Sequence, residues 1–189
     1  MKASIEKKKM LKILYGLLMM FVCTTAGCVT DDEPEGPSLH VGDPLPQFSV
    51  TMNNGDVITT SSLIGKVPVI VFFNTDCSDC RKELPVIQEL YNYYKGIPEV
   101  KILAIAREEG VSDIEKYWEE NNLTMPFSPQ KTKEIYNLFA PSVIPRIYIS
   151  NTAGIITATF DDSDMPTLDT LVMEINKYYM SQAQKETLE

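Results

Sequence analysis

Two continuous apolar runs mark the centre of the chain. They are VPVIVFFN at residues 67–74 and VKILAIA at residues 100–106, both rich in β-branched side chains. Apolar runs of this length without alternation are typical of strands that are buried on both faces of a sheet. Between them, residues 78–94 carry apolar side chains three and four positions apart, which predicts an amphipathic helix. Pro85 lies inside this helix and is expected to kink it.

Shorter patterns complete the predicted domain on both sides of this centre. Residues 112–122 predict a further helix, with Ser112 as its N-cap and Glu115 in a capping box. Two hairpins are predicted at residues 48–66 and 145–160. Two more helices are predicted at residues 133–140 and 167–180. Helices that link the middle strands and tight turns that link the outer strands predict an α/β fold with a mixed central sheet.

The N-terminus has the pattern of a secretory signal peptide, which we assign to residues 1–27. Lysines between positions 7 and 12 precede an apolar stretch at residues 13–27, which is too short and too closely followed by polar sequence for a spanning helix. The motif TTAGC resembles the lipobox of bacterial lipoproteins, although Thr25 replaces the usual leucine. The resemblance implies that Cys28 carries the lipid; the alternative is an uncleaved N-terminal anchor. Both interpretations tether the protein to a membrane from outside the cytoplasm.

Composition divides the rest of the chain into three parts. Residues 28–40 are acidic, contain Pro and Gly and lack an apolar period, which predicts a solvated tether. Residues 41–180 are long enough for one domain with its own core, and residues 181–189 form a polar tail. Without the signal peptide's five lysines and one glutamate, 12 basic and 25 acidic residues remain, a formal net charge of −13. This charge and the lack of a basic patch argue against a nucleic-acid partner.

The four cysteines reduce to one pair in the predicted domain. Cys23 leaves with the signal peptide and Cys28 is the lipidation position, so Cys77 and Cys80 remain. A disulfide that spans two intervening residues gains little chain entropy, which makes it a poor structural link and a suitable redox switch. A zinc site would need two further ligands, and the only histidine, His40, lies in the tether. Two inert buried thiols are the remaining alternative; we predict a redox pair and no metal.

The setting of the pair bears on its chemistry. Cys77 follows a predicted strand and begins a helix, where unpaired N–H groups and the helix dipole stabilise a thiolate. Cys80 lies one turn further on, close enough to bridge. Asp76 and Asp79 add negative charge, which raises the pKa of a nearby thiol and makes the dithiol–disulfide couple more reducing. We therefore predict that these two aspartates tune the potential and that the protein acts mainly as a reductant.

The stretch VIVFFNTDCSDCRKELP resembles the active-site segment of thioredoxin-like proteins, and more narrowly that of the membrane-anchored thiol–disulfide oxidoreductases of the TlpA/ResA type. The resemblance covers about residues 41–180 and includes the N-terminal hairpin, a helix and strand inserted between 107 and 130, and the later VIPRIYI. It implies a thioredoxin-like fold in which Cys77 is the attacking nucleophile and Cys80 is the buried resolving thiol. It also implies no cofactor beyond the disulfide that these two cysteines form.

The same resemblance assigns three further residues. Pro145 matches a cis-proline that faces the cysteine pair, and Ile144 before it matches a residue that pairs with a bound peptide. The alternative is that Pro145 only begins an edge strand. Glu83 matches an acidic residue that exchanges a proton with the second cysteine; alternatively, it is an ordinary exposed helix glutamate. The chain departs from the common pattern in carrying Asp76 where tryptophan is usual and Asp79 where proline is usual.

Together with the tether, these features predict a lipid-anchored thiol–disulfide oxidoreductase of the bacterial cell envelope, facing the periplasm or the outer surface. Its expected partners are protein thiols and disulfides, an upstream electron donor and, through the lipid, a membrane. Two alternatives remain open: a binding module of a surface lipoprotein with a redox-quiet disulfide, and a peroxidase of the same superfold. Peroxidase chemistry requires Thr or Ser three residues before the reactive cysteine, where this chain has Asn74.

Overall fold

The structure, a computed structural model, describes residues 36–186, with side chains as far as residue 179. The predicted signal peptide, the lipidation position Cys28 and most of the acidic tether lie outside these residues, and their assignments stay predictions. Within residues 36–186, no helix has both the length and the apolar character needed to cross a membrane.

The described residues form seven strands and four α-helices. The strands are β1 Ser49–Thr51, β2 Val57–Thr59, β3 Val67–Phe73, β4 Val100–Ala106, β5 Phe127–Ser128, β6 Arg146–Ser150 and β7 Ile156–Phe160. The helices are α1 Thr60–Leu63, α2 Ser78–Tyr94, α3 Val111–Glu120 and α4 Leu168–Glu186. Both buried strands, both hairpins and the long central helix are therefore confirmed.

Strands β3 to β7 form one mixed sheet in the order β5-β4-β3-β6-β7, while β1 and β2 pair separately. Strand β3 is parallel to β4 and antiparallel to β6, which confirms the predicted mixture of pairings. In the register of β3 and β4, Phe73 lies opposite Ala106, so both strands end at the same edge of the sheet. Helix α2 begins just past this edge, which therefore carries the cysteine pair.

Side chains alternate along β3, so the strand contributes buried side chains to both faces of the sheet. All seven of its residues are buried. Val69, Val71 and Phe73 pack into the cluster that contains helices α2 and α4, whereas Ile70 and Phe72 pack into the cluster on the opposite face. Burying an apolar side chain of this size is worth about 1.5–3 kcal/mol, so the strand firmly anchors the residues that follow it.

Helix α2 buries one face against this sheet. Leu84, Ile87 and Leu90 lie three positions apart and are buried. Pro85 lies on the exposed side, and the helix continues through it without a break. The missing N–H of proline therefore removes a helical hydrogen bond on the side away from the core.

The start of helix α3 differs from the prediction. The predicted N-cap Ser112 and its capping box are wrong: the helix begins at Val111, and its N-cap is Gly110, which forms no side-chain cap hydrogen bond. Just before it, Glu109 exchanges two backbone hydrogen bonds with Gln130, at 2.7 and 3.1 Å. This bridge fixes the backbone up to Glu109, so the helix begins directly after Gly110.

The segment 133–140 forms only a single 3-10 turn, Tyr136–Leu138, instead of the predicted helix. The reason lies in where its polar groups find partners. The carbonyl oxygen of Phe139 accepts hydrogen bonds from the Leu39 N–H at 2.9 Å and from the Tyr148 hydroxyl at 3.1 Å. These tertiary partners, together with the burial of its aromatic side chains, hold the segment against the sheet in a non-helical shape.

Two of the observed helices differ in their bounds from the elements that the sequence predicts there. Residues 60–63 form helix α1, where the pattern predicts strand and an exit turn, because Thr59 and Ser62 cap this turn reciprocally. At the other end of the chain, helix α4 continues to Glu186, although the pattern predicts its end at residue 180 and a polar tail after it.

Candidate active site

Cys77 occupies the N-cap position of helix α2. Its backbone is extended (φ −79°, ψ 122°), and its sulfur accepts a hydrogen bond from the backbone nitrogen of Cys80 at 3.3 Å. The Cys77 N–H in turn donates to the carbonyl oxygen of Asn74 at 3.1 Å, which closes the turn between β3 and α2. A sulfur in this position faces the unpaired N–H groups and the positive end of the helix dipole, both of which favour a thiolate.

The two cysteines differ in exposure. Both are free thiols; Cys77 is half-buried, whereas Cys80 is buried, with 1% of its surface exposed. Burial raises the pKa of the Cys80 thiol well above its ordinary value, and its hydrogen bond with the Cys77 side chain adds to the rise. An accessible sulfur beside a buried, protonated one is the arrangement that an attacking and a resolving cysteine require.

The loop before β6 brings a third element to the pair. The Ile144–Pro145 peptide bond is cis, as predicted. The Cys77 thiol donates to the carbonyl oxygen of Ile144 at 3.5 Å. Strand β6 lies between β3 and β7, so the alternative that Pro145 begins an edge strand is wrong. Ile144 is half-buried, and its N–H forms no hydrogen bond within residues 36–186.

Glu83 lies one turn after Cys80, on the buried face of α2. Only 3% of its surface is exposed, so the alternative of an ordinary exposed glutamate is wrong. Its Oε1 atom has no hydrogen-bond partner among the described residues. Burial raises the pKa of Glu83 to about 7, because water no longer stabilises the charged carboxylate. The carboxyl group can therefore bind and release a proton near neutral pH, although no hydrogen bond joins it to either thiol in the part of the chain that the structure describes.

The two aspartates beside the cysteines are each paired with a cation. The Asp76 side chain is 96% exposed and lies 3.4 Å from Nη2 of Arg81. The Asp79 side chain is 36% exposed and lies 2.7 Å from Nζ of Lys82. The charge of Asp79 adds to the raised pKa of Cys80, after the effects of burial and of the neighbouring thiol. Because solvent and the paired cations screen both charges, we expect their effect on the potential to be small.

A buried carboxylate to which no sequence motif points contacts the turn before Cys77. Glu109, which is 7% exposed, accepts hydrogen bonds from the N–H of Thr75, at 2.8 Å, and from its hydroxyl group. The carbonyl oxygen of Thr75 accepts a hydrogen bond from Nε of Arg81. Burial raises the pKa of Glu109, and the two bonds from Thr75 oppose the rise. The sequence could have indicated this contact only through the predicted topology, since Thr75 and Glu109 each follow one of two paired parallel strands and such residues lie close together.

Comparison with known proteins agrees with this geometry. Residues 41–159 match the AhpC/TSA family. Among curated proteins, the chain is similar to the thiol–disulfide oxidoreductase ResA of Bacillus subtilis, with 24% identity over 163 residues that cover 84% of this chain and 90% of the relative. It is also similar to the ResA of Geobacillus kaustophilus, with 28% identity over 153 residues that cover 79% and 87% of the two chains.

Solved structures share the fold. A candidate protein disulfide isomerase from Bacteroides thetaiotaomicron matches with a TM-score of 0.70 and 25% identity, over 77% of this chain and 94% of that one. A thiol:disulfide interchange protein of the thioredoxin family from Chlorobium tepidum matches with a TM-score of 0.61, over 75% and 99% of the two chains; its 19% identity shows the fold alone. The predicted thioredoxin-like fold is confirmed. The chain therefore belongs to the AhpC/TSA family, as a thioredoxin-like thiol–disulfide oxidoreductase.

Proposed function

We propose that this protein is an extracytoplasmic, membrane-anchored enzyme that reduces disulfides in other proteins through Cys77 and Cys80. The observation that carries the proposal is the position of the Cys77 sulfur, 3.3 Å from the backbone nitrogen of Cys80 and 3.5 Å from the carbonyl oxygen of Ile144. One half-buried sulfur thus lies at a helix N-terminus, beside a buried thiol and beside backbone that can bind a peptide. This geometry suits electron exchange with a disulfide in a polypeptide.

In the first step, the Cys77 thiolate attacks one sulfur of the substrate disulfide. A new S–S bond forms between Cys77 and the substrate, the substrate's own S–S bond breaks, and the leaving thiolate takes a proton from solvent. The positive end of α2 favours the attacking thiolate, and its half-buried position gives the substrate access. A peptide that pairs with the backbone of Ile144 would hold the disulfide in front of this sulfur.

In the second step, Cys80 resolves the mixed disulfide. Its thiol loses a proton, its sulfur attacks Cys77, and the second substrate thiolate leaves and is protonated. The substrate has then gained two electrons and two protons, and the enzyme holds the Cys77–Cys80 disulfide. Because burial raises the pKa of Cys80, this step needs a proton acceptor. We assign that role to Glu83, which lies one turn along the same helix and has a pKa of about 7.

The Cys77–Cys80 disulfide is the redox group that this mechanism uses, with no further cofactor. An upstream electron donor of the dithiol class reduces it before the next turnover, by the same exchange in reverse. The signal-peptide pattern of residues 1–27 and the lipobox-like sequence at Cys28 support a position outside the cytoplasm on a lipid anchor. Cys28→Ala should move the protein from the membrane fraction to the soluble fraction, and full retention in the membrane would contradict the lipid anchor.

A disulfide-reduction assay tests the proposed activity. The purified full chain in detergent, with dithiothreitol as the donor, should reduce insulin disulfides well above the rate of dithiothreitol alone. Cys77→Ser should abolish this acceleration, and Ser78→Ala, an exposed change between the two cysteines, should preserve it. If the unchanged protein gives no acceleration, the proposal fails and the redox-quiet binding module is favoured.

A further inference from the structure

All three polar groups of the Thr75 residue are held by side chains from other parts of the chain. Its N–H donates to Oε2 of Glu109 at 2.8 Å, and its hydroxyl donates to Oε1 of the same carboxylate. Its carbonyl oxygen accepts a hydrogen bond from Nε of Arg81. Thr75 is buried and lies two residues before Cys77. The turn that presents the reactive sulfur is therefore fixed from outside.

Glu109 is itself firmly held. It exchanges two backbone hydrogen bonds with Gln130, and Thr75 occupies both of its carboxylate oxygens. The adjacent Glu108 differs in exposure and in its partners. Its side chain is 49% exposed, and its carboxylate lies 3.7 Å from Nε of Arg107 and forms no hydrogen bond or ion pair with residues 74–77. The two neighbouring glutamates therefore provide a test residue and a matched control.

Arg81 connects the same turn to helix α3. Its guanidinium carbon lies 5.8 Å from the ring centre of Tyr117, while its Nε binds the carbonyl oxygen of Thr75. Glu109 and Tyr117 both belong to the segment inserted between 107 and 130. This segment therefore supports the turn at two points, directly through Glu109 and indirectly through Arg81. A polar cavity of about 280 Å³ is lined by residues from both sides of the contact.

We propose that Glu109 is a positioning residue for thiol–disulfide exchange: by binding the N–H and hydroxyl groups of Thr75, it keeps the Cys77 sulfur at the N-terminus of α2. This inference rests on the proposed function, in which Cys77 is the nucleophile. A thiolate gains from a helix N-terminus only while its sulfur stays within the first turn. Without Glu109, the backbone of residues 74–76 becomes more flexible. Placing the Cys77 sulfur at the helix N-terminus then costs conformational entropy, which makes the reactive geometry less favourable.

The position and the charge of Glu109 predict opposite effects on Cys77. A nearby carboxylate disfavours a thiolate, so removal of the charge alone would make the sulfur more reactive. Removal of the hydrogen bonds to Thr75 would make it less reactive, because the thiolate would lose its place at the helix end. Glu109→Gln removes the charge and keeps a side-chain oxygen for the Thr75 N–H, whereas Glu109→Ala removes the charge and both acceptors.

The test is the pH dependence of Cys77 alkylation by iodoacetamide in the reduced full chain, measured by mass spectrometry of the peptide that contains it. For Glu109→Ala we expect the half-maximal pH to rise by about one unit and the rate at pH 7 to fall about tenfold. Glu109→Gln should have the same half-maximal pH as the unchanged protein or a slightly lower one, because it loses the charge and keeps an acceptor for the Thr75 N–H. Glu108→Ala should match the unchanged protein. A folded Glu109→Ala protein whose Cys77 is unchanged or more reactive overturns the proposal.

Thermal unfolding tests whether Glu109→Ala is folded. If it is not folded, a second pair of variants at Thr75 tests the proposal. Thr75→Val keeps the N–H and lacks the hydroxyl, so it should raise the half-maximal pH, whereas Thr75→Ser should not; equal profiles overturn the proposal. The alkylation readout is independent of disulfide reduction. If the unchanged protein fails the insulin assay while Glu109→Ala still shifts the profile, the proposed function fails and the positioning of Cys77 stands.

Discussion

The Cys77 sulfur and the carbonyl oxygen of Ile144 lie 3.5 Å apart, although 67 positions separate the two residues in the sequence. Strand β3 leads to Cys77 and strand β6 follows Ile144, and the two strands pair antiparallel with Phe72 opposite Arg146. The end of one strand and the start of the other therefore meet at one edge of the sheet. This meeting places the reactive sulfur and the proposed peptide-binding backbone in a single site.

Glu83 is expected to make the stability of the reduced protein depend on pH. Burial raises its pKa from 4.5 to about 7, so the folded state binds this proton more tightly than the unfolded state does. The stabilising effect of the proton is complete below the unfolded pKa and is lost as the pH rises through the folded one. The free energy of unfolding should therefore fall between pH 4.5 and 7 by about 3 kcal/mol.

Glu83→Gln should remove this fall. Urea unfolding at pH 4 and pH 8 measures it: the variant should match the unchanged protein at pH 4 and be the more stable of the two at pH 8. Glu89→Gln, an exposed change on the same helix, should match the unchanged protein at both pH values. Equal stability of Glu83→Gln and the unchanged protein at pH 8 would contradict the raised pKa.

As the proton acceptor for Cys80, Glu83 is expected to act in the second step of the reaction and not in the first. Glu83→Gln should leave the formation of the Cys77 mixed disulfide nearly unchanged and slow its resolution about a hundredfold. Acid-quenched time courses analysed by mass spectrometry separate the two rates. Equal rates of resolution in both proteins would exclude the role, and equal slowing of both steps would indicate a general structural effect.

Elements with local signals could be predicted from the sequence. The β-branched run of β3 and the apolar spacing of α2 can be recognised without knowledge of their partners. The burial of Glu83 has a local signal of the same kind, since it lies between Cys80 and Ile87 at helical spacing on the buried face. The cis bond at Pro145 is predicted only through the family resemblance, because no local pattern around the proline indicates that the carbonyl group of Ile144 lies beside Cys77.

Features that depend on tertiary contacts could not be predicted in this way. The contact between Glu109 and Thr75 spans 34 positions and exists because β3 and β4 are paired in parallel register. The true start of α3 follows from the backbone bridge between Glu109 and Gln130, which outweighs the capping preference of Ser112. The segment around Phe139 is non-helical because its carbonyl group binds partners outside the segment.

Asp79 is expected to lower the reduction potential slightly. Its charge disfavours a thiolate in the dithiol form, so Asp79→Asn should raise the potential, by about 10 mV for a partly exposed, paired charge worth about 0.5 kcal/mol. Asp76→Asn should have a smaller effect because that side chain is 96% exposed. Lys82→Gln should lower the potential because it leaves Asp79 unpaired.

Equilibration with defined dithiothreitol and glutathione buffers measures these potentials. A fall in the potential of Asp79→Asn would contradict the tuning role. A potential of the unchanged protein near −120 mV, the value of a strong oxidant of this fold, would contradict the prediction that it acts mainly as a reductant.

Gln88 is expected to be important for stability because it joins α2 to the inserted segment. Its Oε1 accepts hydrogen bonds from the backbone nitrogens of Thr124, at 2.6 Å, and Met125, at 3.0 Å. Gln88→Ala leaves both N–H groups without this partner and should lower the free energy of unfolding by about 2–4 kcal/mol. Asn92→Ala, at an exposed residue, removes only the part-buried hydrogen bond from Nε2 of Gln88 and should change the free energy of unfolding by less than about 0.5 kcal/mol. Urea unfolding compares the two, and equal losses would contradict the role of Gln88.

Trapping of the mixed disulfide is the most direct test of the claim that Cys77 attacks and Cys80 resolves. Reduced full chain carrying Cys80→Ala is incubated with a peptide disulfide, and the products are mapped by mass spectrometry. We predict one peptide per chain, bound to Cys77, with little adduct on the unchanged protein and none on Cys77→Ala. The absence of an adduct from Cys80→Ala, or an equally fast adduct on Cys80 in Cys77→Ala, would contradict the claim.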